Sequence, residues 1–221
     1  MFVAGGFEDK QAPEGDARVH PLRGAPPKPT WPLQIPRYLH SSIAITPSQI
    51  LLSGGLTTRD DNLVATPEVE RIDLETGTSE RLASLPFHTA EPTAVLLPDG
   101  QILIAGGYDE EILRDTAILS SLSGEWRSAS KLPSPRAGAT PLLVQGHLLL
   151  LGGVEAIGAP PATSILTQDL ATGTWAEIPF EIPSSAAIAP LEDGTFLIAG
   201  GRSKEGAPIA EVTHFTATLL P

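Results

Sequence analysis

Apolar runs of four to six residues, bounded by Gly, Pro, Asp or Ser, recur along the whole chain, and none extends into a helical stripe of three turns. The pattern predicts short strands. Five of the runs end in a pair of glycines: residues 1–6 (MFVAGG), 50–55 (ILLSGG), 102–107 (ILIAGG), 148–153 (LLLLGG) and 196–201 (FLIAGG). The first glycines of the pairs, Gly5, Gly54, Gly106, Gly152 and Gly200, stand 49, 52, 46 and 48 residues apart. A period of that length marks a solenoid, a propeller or an array.

Within a unit, two apolar runs flank a turn: Pro98, Asp99 and Gly100 join them in residues 92–107, the same Asp-Gly turn recurs in residues 186–201, and Gln145-Gly146 serves in the fourth unit. These turns predict hairpins, since glycine accepts the positive φ they require. A polar loop of variable length follows the glycines, then a third strand (VERIDLETG, 69–77; TAILSSLSG, 116–124; SILTQDLATG, 164–173). A fourth strand carries Trp126 or Trp175, with Ser79 at the matching place of the second unit. Four antiparallel strands in such a unit make one blade, and blades bury their faces by stacking around an axis. The expectation is an all-β propeller of about five four-stranded blades in a single domain, 1–221, with approximate blades 1–36, 37–84, 85–133, 134–181 and 182–221. Both terminal blades read as three strands, so the ring is expected to be incomplete or part of a larger propeller. An exposed blade interface would then favour self-association.

These details resemble the kelch-repeat family, in particular its bacterial, sparsely characterised members. The resemblance rests on the five glycine pairs, on Trp31, Trp126 and Trp175 downstream of them, and on Pro36-Arg37 and Pro135-Arg136 before the next first strand. The third-strand tyrosine usual in the family is missing, with Ile72, Ser120 and Thr167 near its place. The family includes copper enzymes that oxidise sugars and a sialic acid mutarotase. The copper type needs a Cys crosslinked to Tyr; this chain has Tyr38 and Tyr108 and no Cys. The mutarotase type would ask Arg37, Arg136 and Asp109 or Glu110 for its acid and base.

Charge narrows the partners. With 14 Lys and Arg against 26 Asp and Glu, a formal net charge of -12 disfavours nucleic acid or an anionic membrane as the main partner. No window approaches 18 uninterrupted apolar residues; the longest, residues 139–151, is broken by Pro141, Gln145, Gly146 and His147. No basic segment followed by an apolar run opens the chain, so no signal peptide is visible and a soluble protein is expected, cytoplasmic by default, periplasmic or extracellular if a leader precedes it. Without cysteine there is neither disulfide nor thiolate chemistry.

Catalytic signatures are few. No phosphate-loop motif follows a strand, the five histidines lack H-E-x-x-H spacing, and no G-x-S-x-G elbow occurs. Asp60, Asp61 and Asn62 are adjacent instead of alternating as in a calcium loop. No metal site, cofactor or catalytic residue is therefore expected, and the glycine pairs (Gly5-Gly6, Gly54-Gly55, Gly106-Gly107, Gly152-Gly153, Gly200-Gly201) and tryptophans are read as structural.

Acidic residues cluster soon after the glycines: Glu8 and Asp9, Asp60 and Asp61, Asp109 with Glu110 and Glu111, and Glu155. In a four-stranded blade these loops share a face with the loops entering each first strand, which hold Arg37, His40, His88 and Arg136. The resulting expectation is a non-catalytic scaffold that binds a protein or glycan partner there through charge-assisted bonds, using Arg37, His40, His88, Arg136, Asp60, Asp61, Asp109 and Glu110. Two other readings accompany it: a carbohydrate-active epimerase or mutarotase, and solvated acids with arginines that tie neighbouring blades together.

Overall fold

The computed structural model of the chain describes residues 2–4, 7–8, 12–13, 16–19, 31–122, 124–180, 182–183, 186–191, 195–203 and 207–216. Every regular element in it is a strand. An N-terminal sheet is built from β1 (Phe2–Ala4), β4 (Asp16–Val19) and β5 (Trp31–Pro32), with a small hairpin, β2 (Phe7–Glu8) and β3 (Ala12–Pro13), between the first two.

Three four-stranded blades follow. Blade I holds β6 (Ser41–Thr46), β7 (Gln49–Ser53), β10 (Val69–Asp73) and β11 (Thr78–Arg81), with hairpin β8 (Leu56–Arg59) and β9 (Asn62–Ala65) between its second and third strands. Blade II holds β12 (Thr93–Leu96), β13 (Ile102–Ala105), β16 (Thr116–Leu119) and β17 (Trp126–Ser128), interrupted by hairpin β14 (Tyr108–Asp109) and β15 (Glu111–Ile112). Blade III is β18 (Thr140–Val144), β19 (His147–Leu151), β20 (Ser164–Asp169) and β21 (Trp175–Pro179). Blade IV has three strands: β22 (Ala187–Pro190), β23 (Thr195–Ala199) and β24 (Val212–Thr216). The expected all-β propeller with three-stranded terminal units is borne out, and the count of about five blades is corrected to four blades and a three-stranded N-terminal sheet. Among the described residues only three of the sheets reach four strands.

Why these strands are apolar throughout, instead of alternating, follows from the stacking. Leu148 and Leu150 of β19 point back into a cluster with Val95, Leu103 and Ala105 of blade II. Leu149 and Leu151 point forward to Phe196 and Ile198 of blade IV. The same split recurs in β13, where Ile102 and Ile104 meet Leu51 and Val69 of blade I. A blade between two neighbours has two dry faces, so period-2 alternation of polarity disappears. Trp126 adds a directed bond, its indole Nε1 donating to the Ala83 carbonyl of the preceding blade at 2.9 Å.

The glycine pairs bring neighbouring blades into register. Gly55 N donates to Thr89 O and Gly107 N to Arg136 O, each at 2.8 Å, so each pair is bonded to the loop entering the next blade. At Gly106 (φ +63°) a Cβ would run into the Arg136 carbonyl, so left-handed backbone and close approach both exclude a side chain. Where β10 and β20 turn into the fourth strands, Asp73 and Asp169 each accept two backbone N–H bonds, and those donors hold both carboxyls below the usual carboxylate range.

Candidate functional site

The loops that enter each first strand form the inner rim of one face. Leu39, Glu91 and Gly138 occupy equivalent places in three successive entries, and all three have positive φ (53°, 49° and 67°). They are strung together by backbone bonds: Glu91 N donates to Leu39 O at 2.6 Å, and Gly138 N donates to Glu91 O at 3.0 Å. The side chains at these positions take no part in those bonds.

Around this rim the loops between second and third strands stand up as hairpins. β3 lies beside β8, and β9 lies beside β14, so the three hairpins make a continuous palisade. Their tips carry the acidic residues: Asp60 and Asp61 are the exposed two-residue turn of β8 and β9 (φ 50° and 61°), and Glu110 (φ 54°) is the exposed tip of β14 and β15. Half-buried Asp109 and exposed Glu111 flank Glu110. Exposed apolar side chains join them on this face, namely Leu39 on the rim, Leu63 in β9 and Ile157 in the corresponding loop of blade III.

The arginines are placed otherwise than the sequence suggested. Arg37 is 0% exposed and Arg136 1%, so neither reaches a ligand on this face. Arg37 donates through Nη1 to the carbonyls of Gly54 and Glu68 at 2.8 Å each, and through Nη2 to Glu70 at 2.6 Å. Glu70 also accepts from the backbone N–H of Gln34 and Ile35 and from the Ser79 hydroxyl. Burial lowers the basicity of the Arg37 guanidinium and the Glu70 charge opposes that effect.

Arg136 repeats the motif, donating to the carbonyls of Gly152 and Ser164 and to the Ser134 and Ser164 hydroxyls. Its carboxylates, Glu155 at 3.2 Å and Glu177 at 3.8 Å, are partly exposed. Each guanidinium fastens an entry loop onto the blade that loop enters, while the Arg136 backbone reaches the neighbouring blade, its N–H donating to Leu113 O and its carbonyl accepting from Gly107 N.

His40 is likewise not a surface cation. Burial, with the Arg37 charge adding to it, holds its ring down to about 4, and its Nδ1 is buried without a hydrogen-bond partner. His88 is exposed, with Nδ1 3.1 Å from the Ala65 carbonyl. The structure therefore brings Asp60, Asp61, Asp109, Glu110 and His88 to the loop face and removes Arg37, Arg136 and His40 from it. Gly5, Gly6 and Asp9 lie outside the described residues, as does the side chain of Trp31. The indole nitrogen of Trp175 is buried without a partner.

Sequence reasoning missed Glu91, whose half-buried carboxylate has no hydrogen-bond or ion-pair partner among the described residues. It borders a cavity of about 250 Å³ between blades III and IV, lined by Gly138, Leu151, Pro161, Ile182 and Ile188 among others. Glu91 and Tyr38 are close enough to act on the Tyr108 phenol, which burial first and then these two neighbours push above its usual range. Among the described residues no three His, Asp or Glu side chains come together as a metal-ligand group, and no helix is long and apolar enough to cross a membrane.

No family model matches the chain. It is 30% identical over 136 residues to Kelch-like protein 35 of Mus musculus, covering 61% of this chain and 23% of that protein. A putative F-box/kelch-repeat protein of Arabidopsis thaliana is 26% identical over 117 residues, 53% of this chain and 45% of that one. The chain thus spans less than half the length of these curated relatives. The solved structure of YjhT superposes with a TM-score of 0.70 over 85% of this chain and 66% of that one, at 14% identity, and shares the fold. With glycine pairs bonded across the junctions of blades I with II and II with III, this chain is a kelch-type β-propeller, similar in sequence to these kelch-repeat proteins.

Proposed function

We propose that the chain is a non-catalytic interaction scaffold whose hairpin face engages a protein partner bearing a basic, partly apolar surface. The observation that carries this reading is the palisade: hairpins packed side by side, acids at their tips and Leu39, Leu63 and Ile157 exposed among them. Interfaces combine apolar anchors with a polar rim, and opposite charge speeds encounter and sets orientation. The guanidinium groups that an epimerase would need are committed to backbone carbonyls, which favours the binding reading over the enzymatic one.

Peptide display tests it. Peptides selected on the wild-type protein should be net basic, bind more weakly as salt rises, and lose affinity about tenfold or more when Asp60, Asp61, Glu110 and Glu111 are replaced by their amides. Selected ligands indifferent to those substitutions and to Leu39→Ala with Leu63→Ala would place the binding surface elsewhere.

A further inference from the structure

We propose that the cavity beside Glu91 receives a single lysine or arginine side chain of the protein partner, the aliphatic stem lying against Leu151, Ile182 and Ile188 and the cation meeting the Glu91 carboxylate. The inference rests on reading this face as a binding surface, and it names the chemistry one part of that surface selects.

Size is the first argument. At about 250 Å³ the cavity is smaller than the roughly 300–1,000 Å³ typical of pockets for drug-sized ligands. It is on the scale of one long side chain. Shape is the second: glycine at position 138, where the preceding entry loops carry Glu91 and Leu39, leaves the mouth open. A Cβ there would lie 3.4 Å from Glu91 Oε2, so the carboxylate reaches across the space a side chain would fill. Gly138 and Glu91 are held in that relation by their backbone bond.

Charge is the third argument. A half-buried carboxylate without a partner beside an apolar wall is best satisfied by a cation that brings its own apolar stem. Lysine and arginine do both, whereas a bare divalent ion would need further oxygen ligands, and no acidic group of three is present among the described residues. The acidic hairpin tips next to the rim favour the approach of the same sign of charge.

The wild-type protein allows a direct test. In heteronuclear NMR, N-acetyl-arginine amide or N-acetyl-lysine amide should shift the amide signals of Gly138, Gly153 and Val154, and N-acetyl-glutamine amide should not. In parallel, basic peptides selected on the wild-type protein should bind Glu91→Gln about tenfold more weakly, the loss of one charge-assisted bond, with the melting temperature unchanged. If Glu91→Gln melts early, the wild-type shift map alone decides.

Shifts confined to the hairpin tips, or equal shifts with the glutamine derivative, overturn the cavity assignment. Basic peptides that lose affinity on the amidated hairpin tips yet bind Glu91→Gln normally overturn it too, and leave the broader reading of the face standing. Peptides indifferent to both sets of substitutions overturn both.

Discussion

Blades I and III solve one problem with the same residue and different surroundings. The carbonyls of Gly54 and Gly152 end the second strands and point inward, and each accepts from a buried arginine in the entry loop. In blade I that arginine meets Glu70 inside the sheet, with both side chains 0% exposed. In blade III the residue paired across from Leu150, as Glu70 is from Leu52, is Leu166, and charge comes instead from Glu155 and Glu177 at the edge, exposed by 43% and 35%. Blade II dispenses with the ion pair: Thr89 stands at the arginine position and its hydroxyl donates to Gly106 O at 2.9 Å. The fold requires a donor there, and the charge is optional.

The comparison breaks if blade I is not the more sensitive. Glu70→Ala strands a buried guanidinium and three other donors, so a loss of roughly 3–5 kcal/mol is expected, on the order of a 10 °C fall in Tm by calorimetry. A fall no larger than that of Glu177→Ala would contradict the distinction.

Acid should also act on blade I. The His40 ring is held down to about 4 when folded and titrates near 6.5 when unfolded, so between these values the unfolded chain binds the extra proton. Its contribution is full above pH 6.5 and is lost as pH falls toward 4. Blade III has Ala139 at the matching position, so His40→Ala should flatten the pH dependence of urea unfolding across that window.

Thr89→Val tests the minimal solution of blade II, keeping shape while removing the hydroxyl. Leaving the Gly106 carbonyl unsatisfied should cost about 1–3 kcal/mol in denaturant melts, and Thr89→Ser should restore most of it. The smallest change is expected from Glu155→Gln, about 0–1 kcal/mol, because Glu155 is open to solvent and Ser164 and the backbone keep holding Arg136.

The propeller was legible because its most demanding positions need a particular residue. A left-handed backbone packed against a neighbouring carbonyl, as at Gly54, Gly106 and Gly153, admits glycine, and the glycine pairs of the sequence keep a readable period. The hairpins of the palisade fall where the sequence shows polar loops of variable length, although LTTRDDNLVA carries a signal: β-prone residues on both sides of an Asp-Asp turn whose members tolerate positive φ. Arginine is rarely buried, so Arg37 and Arg136 read from the sequence as surface residues, and the feature that buries them, glycine carbonyls that accept from their guanidinium groups, has no side-chain signature. Glu91 is inconspicuous in the sequence for a related reason. It lies 15 residues before the nearest glycine pair, and its nearness to Gly138 depends on a backbone bond between blades.

That bond has a wider consequence. Leu39, Glu91 and Gly138 are joined through main-chain atoms alone, so the hoop around the axis asks only that each member tolerate a positive φ. A bulky apolar group, an acid and a hydrogen atom already occupy the same structural place. The rim is therefore a row of exchangeable positions on a fixed mount, where new recognition chemistry can arise by substitution without the blades having to move.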